Sequence, residues 1–255
     1  MNTFLKLTFV GVAIMVGVAL KAQPALAQEA AEPAAPIANP TVTIGHFAPF
    51  AADVAGTAVD VRVNGTLVFT NVVYGNFVPD VEFAAGATLV ELLAPGTETV
   101  VISSTNTLEA DKRYYLLAIG GANAFPHTLI WTPRATTIPA GKALITLGHL
   151  APVAGLTSVN ICTDGGQLVA TLNYGAPQAN LPLDPGIHDW KVWVVGCSFV
   201  ELFDMPPFFL AEGDYRDAFA VGLRDVAAFP PNIVTTTGLM TFFNYLPTVL
   251  KAVAE

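Results

Sequence analysis

The sequence predicts an all-β protein: two tandem antiparallel β-sandwich domains, immunoglobulin-like or transthyretin-like, behind a cleaved signal peptide. Three observations predict it. First, IGHFAPF (Ile44–Phe50) returns as LGHLAPV (Leu147–Val153), so that His46 and His149 stand 103 positions apart. Second, from Thr41 onward short alternating apolar segments are separated by Gly, Pro, Asn and Asp, the punctuation of strands and turns. Third, no amphipathic helical period interrupts either copy, which argues against an α/β enzyme fold.

The chain opens with a lysine in Met1–Lys6, an apolar run over Leu7–Leu20, and Ala25-Leu26-Ala27, which fits the small-x-small rule of signal peptidase. The run is short for a membrane span, which needs roughly 20 residues. Residues 1–27 therefore read as an export signal, with an uncleaved anchor as the alternative, and no membrane span is expected in the mature chain. Removing them leaves 228 residues and discards Lys6 and Lys21, which takes the net charge from −9 to −11. An acidic chain without a basic run repels phosphate backbones, which argues against nucleic acid as a partner. It has no attraction to anionic lipid either. With 53% hydrophobic and only 12% charged residues, it is too apolar for disorder. Residues 28–40, QEAAEPAAPIANP, read as an Ala/Pro linker.

In the first domain, residues 41–138, TVTIGH places Val42, Ile44 and His46 on one face. TAVDVRVNGTLVF does the same for Val59, Val61 and Val63, then reaches Asn64-Gly65, the dipeptide of a type I′ hairpin turn. The second domain, residues 142–238, repeats the order. Val59–Val61 matches Val159–Ile161, Tyr74-Gly75 matches Tyr174-Gly175, and Gly86 matches Gly186. Leu116–Gly120 matches Ala218–Gly222, and Phe125-Pro126 matches Phe229-Pro230. Length changes fall in turn-like segments, as expected when turns tolerate them and strands do not. Each copy reads as five to seven strands, with a boundary near Thr136–Gly141. Residues 239–255 form an apolar tail without a repeat partner, at helical spacing but interrupted by Pro247. It packs on its own domain or docks on a neighbouring molecule or membrane surface.

Cys162 and Cys197 are the only cysteines. An even pair in an exported chain is most simply one disulfide, and a loop of that size is worth about 4 kcal/mol in the chain-entropy model. Cys162 shares the parity of Asn160, so the bond is expected as a staple on the outer face of the second domain.

A series of residues in the first copy has a wider likeness. It runs His46 and Pro49, Val59-Asp60-Val61, Asn64-Gly65, Tyr74-Gly75, Ala85-Gly86, and Leu108-Glu109-Ala110-Asp111-Lys112-Arg113-Tyr114. By this series the copy resembles the domain-of-unknown-function 4397 family of exported bacterial and archaeal β domains. The second copy is more divergent, with Asn160 in place of Asp60 and Arg216 at the Tyr114 position. The resemblance implies an exported β-sandwich module, commonly found in tandem, and carries over no catalytic residue.

His46 and His149 continue the inward phase of their strands just before Pro49 or Pro152 redirects the chain. Each is expected to bond backbone groups freed at the strand end. Neither H-x-H nor H-E-x-x-H is present. Asp60 has the opposite parity to its apolar neighbours and becomes Asn160 in the second copy, so no repeated His–Asp dyad is available. His127 and His188 fall in turn-like stretches. None of Ser103, Ser104, Ser158 and Ser198 lies in G-x-S-x-G. An EF-type loop is missing, which leaves loop carboxylates such as Asp214 and Asp217 for weaker calcium binding.

No catalytic residue, metal site or cofactor is therefore expected. The leading expectation is a non-catalytic structural or adhesive protein, secreted or held at the cell surface, whose partners are further copies or a surface polymer. The alternative is a glycan- or peptide-binding module in which Phe47, Phe50, Tyr74, Trp131 and Tyr174, in turn-like places, form a stacking platform. An envelope hydrolase is the third reading.

Overall fold

A computed structural model describes residues 38–235, apart from 122–124, 195, 199, 224 and 225. The export signal, most of the linker and the apolar tail lie outside the described residues.

The first copy comprises β1 (Thr41–His46), a 3-10 turn (Ala55–Thr57), β2 (Val59–Val63), β3 (Thr66–Val72), β4 (Phe77–Glu82), β5 (Gly86–Leu93), β6 (Val100–Leu108), β7 (Arg113–Ile119) and β8 (Thr128–Arg134). The second comprises β9 (Ala143–His149), β10 (Ser158–Thr163), β11 (Leu168–Asn173), β12 (Gln178–Leu183), β13 (Gly186–His188) and β14 (Trp190–Trp193). It ends with β15 (Glu201–Asp204), β16 (Phe208–Leu210), β17 (Tyr215–Val221) and β18 (Asn232–Val234). Among the described residues there is no α-helix, and no helix long and apolar enough to cross a membrane.

Local chemistry sets the corners. Asn64 and Gly65 take φ of 48° and 82°, the two positive values that a type I′ turn needs. The Asn64 Oδ1 then accepts from the Leu89 amide at 2.8 Å, tying the turn to the next hairpin. After β7 and β17 the chain passes through Gly120 and Gly222, at φ of 87° and 98°. A Cβ on Gly120 would lie 1.9 Å from the Pro126 carbonyl oxygen, and one on Gly222 2.4 Å from that of Pro230. Only glycine lets the following loop close over these strand ends.

The sheets repeat the duplication seen in the sequence. The first copy pairs its strands as β4-β1-β7-β8 and β3-β2-β5-β6; the second as β12-β9-β17-β18 and β11-β10-β14-β15, with β13-β16 beside them. Two details differ from expectation. The copies carry eight and ten strands, more than five to seven; the second has two more than the first because the counterpart of the β5–β6 hairpin is broken into β13, β14, β15 and β16. Pro206-Pro207, which cannot donate to a ladder, separates β15 from β16. The sheets are also not purely antiparallel: β1 runs parallel to β7, from Thr41 opposite Arg113 to His46 opposite Ala118. The pair β9 and β17 does the same, ending with His149 opposite Ala220.

Each sandwich closes over its own core. Val42, Ile44, Leu116 and Ala118 meet Val59, Val61, Val90 and Leu92 in the first. Ala143, Ile145 and Leu147 meet Val159, Ile161, Leu172 and Trp190 in the second. A third cluster belongs to neither copy alone. Phe47, Tyr115, Leu117 and Ile119 from the first copy are buried with Leu150, Phe219, Val221 and Val234 from the second. These are the opposite faces of β7 and β17 and the residues after β1 and β9, so the two central sheets pack back to back. The two copies form one body rather than two beads on a linker.

Cys162 and Cys197 are bonded, with an S–S distance of 2.04 Å. Cys162 has no exposed surface, so the surface staple expected from strand parity is corrected to a covered one. The turn that carries Cys197 lies over the sheet at this point, with the Gly196 carbonyl 3.7 Å from the Cys162 sulfur.

Candidate functional site

The repeated histidines stand at the ends of β1 and β9, both buried. A carbonyl can only accept, so the His46 Nε2 donates to Thr57 O at 2.8 Å. The Nδ1 then carries no proton and accepts from the Ala48 amide at 3.3 Å. His149 Nε2 donates in the same way to Leu156 O at 2.7 Å. Each imidazole thus bridges the strand end to the loop that follows it, satisfying backbone groups that have left the ladder. Asp60 is also occupied with backbone: its two oxygens accept from the amides of Asn71 and Gly96, both at 2.8 Å. Those bonds, the one from Gly96 first, hold its carboxyl below the usual carboxylate range.

Burial pushes both histidines below the ordinary value of 6.5. For His46 the bond to Thr57 opposes the shift and the neighbouring His127 adds to it. The unfolded chain therefore takes up protons first. The two histidines favour the fold fully above about pH 6.5, and that contribution is lost as the pH falls from there through their folded values. The urea midpoint is expected to drop between about pH 7 and pH 5, before carboxylates titrate. The H46Q/H149Q double variant, which keeps a donor but does not titrate, should flatten that drop. An equally steep fall in the variant would show that other groups cause it.

The five aromatic residues expected to form a ligand platform do not come together as one. Phe47 has no exposed surface and lies in the cluster between the copies, so it has no ring face to offer. Tyr74 and Tyr174 pack against the same cluster, and their contacts are reciprocal. Tyr74 meets Phe229 of the second copy at 4.9 Å between ring centroids, and Tyr174 meets Phe125 of the first at 4.3 Å. Phe50 stacks on His46 at 5.8 Å and meets His127 edge-on at 5.3 Å. Trp131 is in strand β8 and not in a turn. It lines an open cleft.

Exchange of equivalent contacts in both directions is the mark of an isologous interface, in which one surface meets its own copy about a two-fold axis. Near the centre of this face lies a polar cluster. Tyr115 stands opposite Thr43 in the first copy, and Asp217 opposite Thr146 in the second, so the two hold equivalent places. They bond to each other: the Tyr115 hydroxyl donates to the Asp217 carboxylate. Burial and the Asp217 charge push the Tyr115 phenol up. Arg134 lies 4.5 Å from the Tyr215 ring centroid and 5.5 Å from that of Tyr115, with a guanidinium nitrogen 4.0 Å from Asp217. Asp217 is therefore a wholly buried strand residue, not the loop carboxylate expected for weak calcium binding. Asp214 accepts from the Ala211 amide at 2.9 Å. His188 also departs from expectation, since it ends strand β13 and donates to Asp184 O at 3.0 Å.

The open cleft, of about 550 Å³, is formed by the end of β6, the β6–β7 turn, and β8 with the residues after it. Trp131, Tyr114, Lys112, Arg113 and Arg134 line it, with Glu109 as its one acid. Sequence reasoning did not assemble this group. Its signal was split between the Lys112-Arg113-Tyr114 run and a Trp131–Arg134 segment about twenty positions on, joined only by the pairing of β7 with β8. Among the described residues, no three His, Cys, Asp or Glu side chains gather as a metal-binding set.

Fold and site together define a duplicated β-sandwich module whose repeated polar residues serve its own backbone. The family comparison gives it a place: the model described as Domain of unknown function (DUF4397) matches residues 40–156, and that segment belongs to the family. The match runs through the first copy into β9 and the loop after it. No curated protein matches the chain.

Proposed function

We propose that the protein is a non-catalytic, exported structural or adhesive component of the cell surface, which acts by associating through its sheet edges and not by turning over a substrate. The observation that carries this reading is β6. It is the edge of its sheet and, at nine residues, the longest strand. From Ile102 to Leu108 it runs in unbroken register with β5 and contains no charge and no proline. A flat, uncharged edge is a template for pairing with another chain. Three of the other edges are blunted: β4 by Pro79 and a positive φ at Asp80, β8 by Pro133 and Arg134, and β12 by Pro182 and a positive φ at Asn180; β3 and β11 are shorter than β6. The β6 counterpart in the second copy is cut at Pro206-Pro207. The bonded cysteine pair supports export, since such bonds persist in oxidising compartments.

Sedimentation of the protein over a range of concentrations tests this. The parent should associate, and S103K/T105K, which places two lysines on exposed β6 positions, should remain monomeric with unchanged stability. A parent that is strictly monomeric at high concentration, without affinity for envelope polymers, would sink the reading. A second reading, a saccharide-binding module, is favoured by the Trp131 cleft.

A further inference from the structure

We infer that the exposed face of the β13–β16 ribbon is the docking site of this chain's own apolar tail, residues 239–255. Ile187 and Phe209 stand directly opposite each other in that ribbon and are 75% and 57% exposed. An aromatic ring beside a β-branched side chain makes a favourable cross-strand pair, yet this pair leaves two large apolar groups in water. Other exposed apolar residues sit against polar partners: Leu67 opposite Arg62, and Leu89 opposite Thr105. The first copy has no such pair. Gly86 opposite Leu108 answers to Gly186 opposite Leu210, so the counterparts of Ile187 and Phe209 are Ala87 and Thr107.

The repeat also points to the occupant. The offset of 104 that relates Phe125-Pro126 to Phe229-Pro230 is kept in the last strands, where Ile130 opposite Leu117 answers to Val234 opposite Phe219. Continued past Thr235, it makes Leu239, Met240 and Thr241 the sequence equivalents of Ala135, Thr136 and Thr137. In the first copy those three residues line the open cleft together with Asn106 and Thr107. In the second copy Phe208 and Phe209 hold the positions of Asn106 and Thr107. Both walls thus change together, from small or polar residues to apolar ones. Phe242, Phe243 and Leu246 follow closely, and Lys251 and Glu255 are the only charges in the segment. The place left open in the first copy is filled in the second by the chain itself, because burial of apolar area favours it. The tail starts four residues past Thr235, and so short a tether gives it a high effective concentration at this face. A neighbouring molecule would have to displace it. The inference makes no use of the β6 edge and stands whether or not the chain associates there.

Photo-cross-linking of the full chain tests it, with p-benzoylphenylalanine in place of Phe209. Adducts should join position 209 to peptides from residues 239–255 of the same molecule, in a monomer-sized product whose yield does not depend on concentration. Adducts to a second copy that rise with concentration, or none to the tail, would overturn the inference. Thermal unfolding gives an independent readout. I187A/F209T, which copies the first domain, should lower the Tm by about 5 °C, as expected when two buried apolar side chains are cut back. A chain ending at Gly238 should lose about as much, and the two changes together no more than either alone. An I187A/F209T chain as stable as the parent would mean that the pair faces solvent. Additive losses would mean that the tail packs elsewhere, and either result also overturns the inference.

Discussion

Replacing Phe219 by alanine is expected to remove about 3–5 kcal/mol of stability and to divide one unfolding transition into two. Phe219 has no exposed surface. Its ring comes from the second copy and lies 5.5 Å from Tyr115 and 6.5 Å from Phe47 of the first, between centroids. The same ring fills the space over Gly148, where a Cβ would stand 2.6 Å from Phe219 Cδ1. Truncation therefore opens a cavity in the shared cluster and leaves each sandwich's own core intact. The two copies should lose their coupling before either loses its fold. Single-tryptophan variants allow each copy to be followed in denaturant, with Trp131 reporting the first and Trp190 the second. The transitions should coincide in the parent and separate after Phe219→Ala. Coincident transitions with a loss under about 1 kcal/mol would mean that this face is not what joins the copies.

The second large effect is expected at Asp217. Asp217→Ala takes its carboxylate acceptor from the Tyr115 hydroxyl, which keeps only the Tyr215 hydroxyl at 3.2 Å, and takes a carboxylate from beside Arg134, whose side chain is only 9% exposed. Breaking a buried charged pair by removing one partner costs about 3–5 kcal/mol, because the other charge stays buried. Tyr115→Phe removes only a donor and should cost less, about 1–2 kcal/mol. Asp217→Asn keeps an acceptor for Tyr115 and should fall between the two. If Asp217→Ala proves as mild as Tyr115→Phe, Arg134 must find its compensation elsewhere, with Asp80 as the nearest carboxylate.

These two residues also explain why the face between the copies was hard to read. Tyr115 and Asp217 occupy equivalent positions but are chemically unlike, so the repeat itself conceals that they touch. A signal was present nearby. RYYLLAI in β7 and the Ala218–Val221 run in β17 are apolar in both phases, where a strand with one wet face would alternate. A strand buried on both sides reads as a continuous apolar run. Phe47, Tyr74 and Tyr174 read as open rings because they fall in turn-like places, and local sequence offers no surface to bury them against. The cleft was illegible for a different reason. Its cations and its tryptophan lie on neighbouring strands and meet only through the register of β7 with β8.

What the amino-acid order determined by itself was local and repetitive: the alternation that makes strands, the Asn64-Gly65 corner, the duplicated order of elements, and a cysteine pair able to close. Each follows from interactions between residues near in sequence or from composition. The tertiary structure alone decided that the two sandwiches share a buried face, that β1 runs parallel to β7 and β9 to β17, and that Lys112 and Trp131 line one cleft. These depend on which surfaces meet after the strands have formed. Burial of apolar area is non-directional, so it fixes that a face is covered without naming the partner.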